Sequence, residues 1–112
     1  MSVRTERMGD VVRDLIATSL MGGEMGDPRL QAITITAVKM SGDLQVASVF
    51  FRVFEDKNID ASLAGLSRAK GFFRSKLAKA LDVRRAPELR FFYDKSIENG
   101  SRIEALLREI KQ

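Results

Sequence analysis

Two neighbouring stretches of alternating apolar and polar residues constrain the fold of this chain more than any other feature. They cover about residues 30–40 and 44–54, and both are rich in β-branched residues, as half-buried strands are. Only Ser41-Gly42-Asp43 separates them, and these residue types favour a tight turn. The pattern predicts an antiparallel hairpin. The residues expected on its apolar faces are Ile33, Ile35 and Ala37 in the first strand and Ala47, Val49, Phe51 and Val53 in the second.

Helical spacing of apolar residues marks the segments on either side of the hairpin. It predicts an amphipathic helix over about 3–21, a helix pair over about 59–81, and a last helix from about 101 to 110. In the first half of the pair, Ile59, Leu63 and Leu66 are expected to share one apolar face. Ala69-Lys70-Gly71 lies inside the pair, where glycine disfavours a straight helix, so we expect a kink there. Residues 89–94 alternate again as a third strand. The order α-β-β-α-kink-α-β-α predicts an α+β two-layer sandwich, with helices packed on one face of a three-stranded sheet.

The amino-acid composition excludes several classes of enzyme and metal-binding protein. The 112 residues fit one domain, 1–112, and contain no Cys and no His. Their absence excludes thiol nucleophiles, imidazole bases and the usual zinc, haem and iron–sulfur ligands. Three acids at strand ends, Glu55, Asp56 and Asp94, lack convergent partners in the sequence, and we interpret them as solvated turn residues. We therefore expect no enzyme activity, no cofactor and no metal.

Location follows from the same composition. No apolar stretch approaches the ~20 residues that a membrane helix needs, so we expect no membrane contact. The charged first ten residues do not resemble a secretory signal. Both features predict a cytoplasmic protein.

Positive charge is concentrated in one third of the chain. Residues 61–95 hold nine Lys or Arg against three Asp or Glu, whereas the whole chain has a net charge of +4. Such a cluster favours an anionic partner, although a solvated helix face is the alternative interpretation. The helix after Gly71 should place Arg74 at one edge of its apolar face and Lys76 near the other, with Lys79 towards solvent. The candidate RNA-binding residues are Arg68, Lys70, Arg74, Lys76, Lys79, Arg84 and Arg85.

The kink and the aromatic residues each have two interpretations. Small Ala69 and Gly71 allow helices to bend or cross closely, and a break also exposes helix N-terminal amides that bind phosphate. Phe51, Phe73 and Phe91 fall on apolar faces and are expected in the core. Phe50, Phe72 and Phe92 lie on the opposite phases, where a ring can stack on a base. Phe72 is the best placed of the three to do so, and covering the second sheet face is the alternative for Phe50 and Phe92. Arg29 pairs locally or touches RNA, and Arg4 and Arg7 either extend the cationic patch or are balanced by nearby acids.

Four strings carry a family resemblance. They are residues 27–30 (Asp-Pro-Arg-Leu), 38–44 (Val-Lys-Met-Ser-Gly-Asp-Leu), 69–75 (Ala-Lys-Gly-Phe-Phe-Arg-Ser) and 87–96 (Pro-Glu-Leu-Arg-Phe-Phe-Tyr-Asp-Lys-Ser). In this order they resemble the ribosome-binding factor A family of bacterial small-subunit maturation factors. The outline also resembles a type II KH-like domain, although Ala69-Lys70-Gly71 stands where RNA-binding KH domains have Gly-x-x-Gly.

The resemblance implies a function that composition does not. It implies a non-catalytic factor of ribosome biogenesis that binds the immature 30S subunit and 16S rRNA and assists late maturation, including folding and processing of the 16S rRNA ends. It also implies a role in cold-shock growth and, in some members, release by an assembly GTPase. We expect a monomer. The alternative is a protein–protein adaptor that uses an exposed sheet face or edge, with Phe50, Phe54 and Phe92 as the apolar residues.

Overall fold

A computed structural model describes residues 3–22, 26, 28–30, 32–54, 58–81 and 85–95. Its helices are α1 (Val3–Met21), α2 (Ile59–Arg68) and α3 (Lys70–Leu81), and a short 3-10 helix covers Pro28–Leu30. Its strands are β1 (Ile33–Met40), β2 (Val46–Val53) and β3 (Glu88–Tyr93). The predicted α+β order is confirmed up to β3. The helix predicted over 101–110 lies outside the described residues.

The three strands form one mixed sheet in the order β1-β2-β3. β1 and β2 pair antiparallel, which confirms the hairpin. β3 pairs parallel to β2, from Val46 opposite Glu88 to Phe51 opposite Tyr93. A parallel neighbour needs a crossover connection, and α2 and α3 supply it.

A bulge in β1 changes which of its residues face the helices. Ile35 pairs with Phe51 and Ala37 pairs with Phe50, so Thr36 is an extra residue in β1. Beyond the bulge, Val38 and Met40 oppose Val49 and Ala47. The prediction that Ala37 shares a face with Ile33 and Ile35 was therefore wrong, because the bulge shifts the alternation by one residue.

The core lies between one face of the sheet and the helices. All four predicted inward residues of β2 are buried, and so are the predicted core aromatics Phe51, Phe73 and Phe91. Helix α1 packs on β1 and β2, α2 on β2 and β3, and α3 on β3 and α1. The helices thus cover one sheet face, as predicted. The core side chains are Val12, Ile16, Leu30, Met40, Ala47, Val49, Phe51, Val53, Leu66, Phe73, Leu77, Ala86, Leu89 and Phe91.

The contact face of α2 is set by a glycine. A side chain at Gly65 would meet the side chains of Leu30 at 3.1 Å and Arg29 at 3.3 Å, so α2 lies very close to the 3-10 helix. The Ser62 hydroxyl also donates a hydrogen bond to the carbonyl oxygen of Arg29, at 3.3 Å. This close approach turns Leu63 outward, and the prediction that Leu63 shares the buried stripe of α2 was wrong.

The hairpin turn is held by Ser41 and Asp43. The Asp43 carboxylate accepts hydrogen bonds from the Ser41 hydroxyl at 2.6 Å and from the N–H of Gln45 at 3.1 Å. Both bonds stabilise the ionised form and lower the pKa of Asp43 from its ordinary value of about 3.8, the Ser41 bond most. The left-handed residue of the turn is Leu44, with φ 62°. The predicted turn is confirmed.

Candidate nucleic-acid interface

Helix α3 distributes the candidate cations around a buried stripe. Phe73 and Leu77 are fully buried against the sheet, whereas Ala80 is exposed. At about 100° per residue, Lys70 and Arg74 fall on one flank of this stripe, while Lys76 and Lys79 fall on the other. The cluster is therefore not a single row. Its members flank the core, as the helical spacing predicted.

Lys76 and Lys79 line a groove between α3 and α1. The groove has a volume of about 590 Å³, and its other lining residues are Asp14, Leu15, Thr18, Ser19 and Ala80. A second groove of about 440 Å³ is lined by residues of α1 and by Leu81 of α3, and it includes Arg4 and Arg7. The seam of α1 and α3 thus carries cations from both helices. Asp14 is the acid among the residues that line the first groove.

The aromatic residue at the start of α3 has a local partner. The ammonium group of Lys76 lies 5.0 Å from the centre of the Phe72 ring, within cation–π range. The Phe72 ring also contacts Phe73 edge-on, with centres 6.0 Å apart. Phe72 is half-buried, so these contacts favour a structural role over the predicted base stacking.

The predicted break between α2 and α3 occurs at Ala69. Its φ of −82° and ψ of −1° bend the chain, yet its N–H still donates to the carbonyl oxygens of Gly65 and Leu66. The N–H of Phe73 donates to the carbonyl oxygen of Ala69 at 3.1 Å. These two amides are therefore unavailable to a phosphate. Of the two structural roles predicted for Ala69 and Gly71, the structure shows the bend: an added side chain at Gly71 would meet nothing within 4 Å, and the close approach of α2 to a neighbour occurs at Gly65.

Most of the candidate cations form no ion pair with an Asp or Glu side chain in the part of the chain that the structure describes. Ion pairs within 4.0 Å join Arg13 to Asp14 and Arg90 to Glu88. Within the described ranges, no carboxylate pairs with Arg68, Lys70, Arg74, Lys79 or Arg85. Arg84 lies outside those ranges. Because these charges stand on exposed or half-exposed positions of the helix side, they present a field that favours an anionic ligand.

Of the three acids considered for catalysis, the structure describes Asp94. Asp94 is half-buried, so it was wrong to expect a solvated turn residue there; its carboxylate accepts a hydrogen bond from Thr36. The Arg52 guanidinium donates to the backbone oxygen of Asp94 at 2.8 Å. Glu55 and Asp56 lie outside the described residues. Among residues that the structure describes, no group of acids is placed to hold a metal ion.

None of the helices that the structure describes is long and apolar enough to cross a membrane.

The open sheet face carries a second set of aromatic and basic side chains. Phe50 and Phe92 lie side by side on it, as their sequence phase predicted. Lys39, Arg52 and Arg90 fall on the same face, because each alternates with inward residues of its strand. Sequence reasoning did not single out these three cations. They are far apart along the chain, and only the strand register brings them together.

A three-stranded mixed sheet with helices on one face defines a small α+β domain, and the cations along those helices suit an anionic ligand. Comparison with known proteins makes the assignment specific. The family model "Ribosome-binding factor A" matches residues 4–107. A ribosome-binding factor A from Pelobacter propionicus is 41% identical over 111 residues, which are 98% of this chain and 90% of that protein. The chain belongs to the ribosome-binding factor A family.

Solved structures of the family have the same fold. The crystal structure of ribosome-binding factor A from Thermus thermophilus matches with a TM-score of 0.69 and 29% identity, over 80% of this chain and 94% of that one. A homology model of the Thermus thermophilus protein, fitted into the cryo-EM map of a 30S complex, matches with a TM-score of 0.63 and 31% identity. This match covers 78% of the present chain and 91% of the other.

Proposed function

We propose that the protein is a non-catalytic assembly factor that binds the 30S ribosomal subunit and contacts its 16S rRNA through the cations of α2 and α3 and the following Arg85. The observation that carries this proposal is the set of cations, Arg68, Lys70, Arg74, Lys79 and Arg85, that have no described carboxylate partner. The family match and the relative placed on a 30S subunit support the choice of partner.

The geometry favours contact with phosphates rather than recognition of a sequence. Lys and Arg side chains on two flanks of α3 and along the α1–α3 seam suit two stretches of RNA backbone. Phosphate contacts fix the position and orientation of a protein on a nucleic acid without selecting its bases. Specificity for one place on the subunit then comes from the shape of the folded RNA and from neighbouring contacts.

Finer parts of the function rest on the family relationship. We include in the proposal assistance to late maturation of 16S rRNA, with folding and processing of its ends, and a role during cold-shock growth. Release by an assembly GTPase, a cytoplasmic location and a monomeric state belong to the same proposal. The family match over residues 4–107 also supports treating 1–112 as one KH-like RNA-binding domain.

The test is binding of charge-reversed variants to purified 30S subunits. Lys76→Glu with Lys79→Glu, and separately Lys70→Glu with Arg74→Glu, are expected to lose co-sedimentation with free 30S subunits at physiological salt. Lys76→Arg with Lys79→Arg is the matched control, because it keeps both positive charges at the same positions of the groove. Folded variants that bind as the wild type does would overturn the proposed interface.

The adaptor alternative has one supporting observation, two exposed aromatic side chains at or beside the sheet. Phe54 is 72% exposed and Phe92 is 44% exposed. An adaptor would retain its partner after RNase treatment and at high salt, because apolar contacts are not screened by ions. An RNA-binding factor would lose its partner under both conditions.

A further inference from the structure

The open face of the sheet has an aromatic centre. Phe50 of β2 pairs in register with Phe92 of β3, and their ring centres are 5.6 Å apart with 31° between the planes. On the other side of Phe50, β1 contributes only the small Ala37. The two rings therefore form a shallow apolar surface. Helices do not cover it within the described part of the chain, and Phe92 is 44% exposed.

Three cations border the two rings, together with two acids, Glu88 and Asp94, which bond Arg90 and Thr36. The ammonium group of Lys39 lies 5.8 Å from the centre of the Phe50 ring. Arg90 stands one outward position before Phe92 on β3 and pairs with Glu88 at 3.3 Å, with both side chains about half exposed. Arg52 stands one outward position after Phe50, and its guanidinium lies 5.3 Å from the Tyr93 ring. Outward positions two residues apart on a strand are roughly 7 Å apart, so each cation is within reach of a group that lies on the rings.

Polar and charged residues interrupt the apolar surface around the two rings, which does not suit the centre of a protein interface. Ser48 separates Lys39 from Arg90 across the strands, and Thr34 stands opposite Arg52. Specific protein interfaces bury about 800 Å² on each side and are depleted of Lys at their centre. Two flat rings bordered by cations are instead the pattern on which nucleic-acid bases stack while neighbouring phosphates meet Lys and Arg.

We propose that this open face binds single-stranded RNA, with unpaired bases stacked on Phe50 and Phe92 and the flanking phosphates held by Lys39 and Arg90. The inference rests on the proposed function, since it names a second element of RNA that the same factor binds. Bases in a duplex are already stacked and paired, so only unpaired segments offer the ring faces that this surface fits. The sheet face thus distinguishes unfolded rRNA segments from finished helices.

The test compares two conservative substitutions at Phe92 in the full chain. Fluorescence anisotropy measures binding of a labelled 12-nucleotide oligouridine and of a 12-base-pair RNA duplex. Phe92→Tyr keeps a stacking ring, and we expect it to bind oligouridine as the wild type does. Phe92→Leu keeps an apolar side chain without a ring, and we expect about 5- to 150-fold weaker binding of oligouridine with unchanged binding of the duplex.

Matched controls separate stacking from general loss of structure. Phe54→Leu removes an aromatic ring that is 72% exposed but lies beyond the end of β2, and it should leave oligouridine binding unchanged. Thermal melting confirms that each variant is folded. Lys76→Ala with Lys79→Ala is expected to weaken the binding of both RNAs, because it acts on phosphate contacts of the helix side.

Three results would overturn the inference. Equal binding by the Leu and Tyr variants shows that no base stacks on Phe92. Binding of the wild type to 30S subunits but not to oligouridine rejects the sheet site while the proposed function stands. The chain contains no Trp, so Phe92→Trp supplies a unique fluorophore. An indole that acrylamide cannot quench in the RNA-free protein would show that residues 96–112 or a second copy already cover the face.

Discussion

The helix side and the open side of the sheet both carry cations, but the cations have different neighbours. On the helix side, Arg74 and Lys79 stand on α3 above a closed apolar core. On the open side, Lys39 lies beside an aromatic ring that solvent reaches. The difference teaches that charge density alone does not define a nucleic-acid surface. We expect phosphates on the helix side and unpaired bases on the sheet side.

The largest effect should come from the residue that supports both sides. Phe51 is fully buried in β2 and contacts Tyr93 edge-on. Phe51→Ala is expected to lower the free energy of unfolding by about 3–5 kcal/mol, because it leaves a cavity between the sheet and the helices. Urea denaturation measures this loss. A loss below about 1 kcal/mol would contradict the central place of Phe51 in the core.

The second-largest effect is expected in the salt dependence of binding, which should differ between the helix side and the open side of the sheet. Each phosphate contact contributes roughly −0.7 to −0.9 to the slope of log affinity against log salt. Lys76→Ala with Lys79→Ala should therefore reduce the magnitude of that slope for 30S binding by about 1.4 to 1.8. The Phe92→Leu variant should leave it unchanged. Equal slopes for the wild type and the double lysine variant would show that these lysines meet no phosphate.

Alanine substitutions at two glycines are expected to have smaller effects on stability, and the two effects differ in sign. Gly71 is exposed in α3 with open space around it, so Gly71→Ala should stabilise the protein by about 0.5–1 kcal/mol. In Gly65→Ala the new methyl group meets Leu30 at 3.1 Å, which should cancel or reverse this gain. Thermal unfolding of the two variants compares them directly. A larger gain at position 65 than at position 71 would contradict the close approach of α2.

The smallest expected effect concerns the hairpin turn and pH. Since the folded protein lowers the pKa of Asp43, its ionised form stabilises the fold above the unfolded value of about 3.8, and this contribution is lost as pH falls below that value. Asp43→Asn removes the titrating group and should flatten that part of the stability profile slightly. Unfolding midpoints between pH 5 and pH 3 measure the difference. Identical profiles would show that the turn does not depend on the carboxylate.

Local patterns predicted the elements, whereas long-range pairing decided the details. Alternation was sufficient to predict the hairpin, and helical spacing was sufficient to predict α1. The glycine of Ala69-Lys70-Gly71 was sufficient to predict the break. The bulge at Thr36 could not be predicted, because it depends on how β1 pairs with β2 rather than on β1 alone. The outward turn of Leu63 likewise depends on the approach of Gly65 to Leu30.

The sequence predicted only the part of the candidate site that depends on local patterns. The cations of α2 and α3 are close in sequence, so their concentration is visible from the order of residues alone. Lys39, Arg52 and Arg90 come from three different strands, and only the register places them around Phe50 and Phe92. A sequence pattern indicates how residues alternate within one strand, but it does not record which strand lies next to it.

Site-specific photo-cross-linking to free 30S subunits tests the account most directly. A photoreactive amino acid at position 79, in the α1–α3 groove, is compared with the same residue at position 13, on the exposed side of α1. We expect adducts with 16S rRNA from position 79 and few or none from position 13. Equal adducts from both positions, or adducts from position 79 with ribosomal proteins alone, would contradict a cationic helix surface that binds ribosomal RNA.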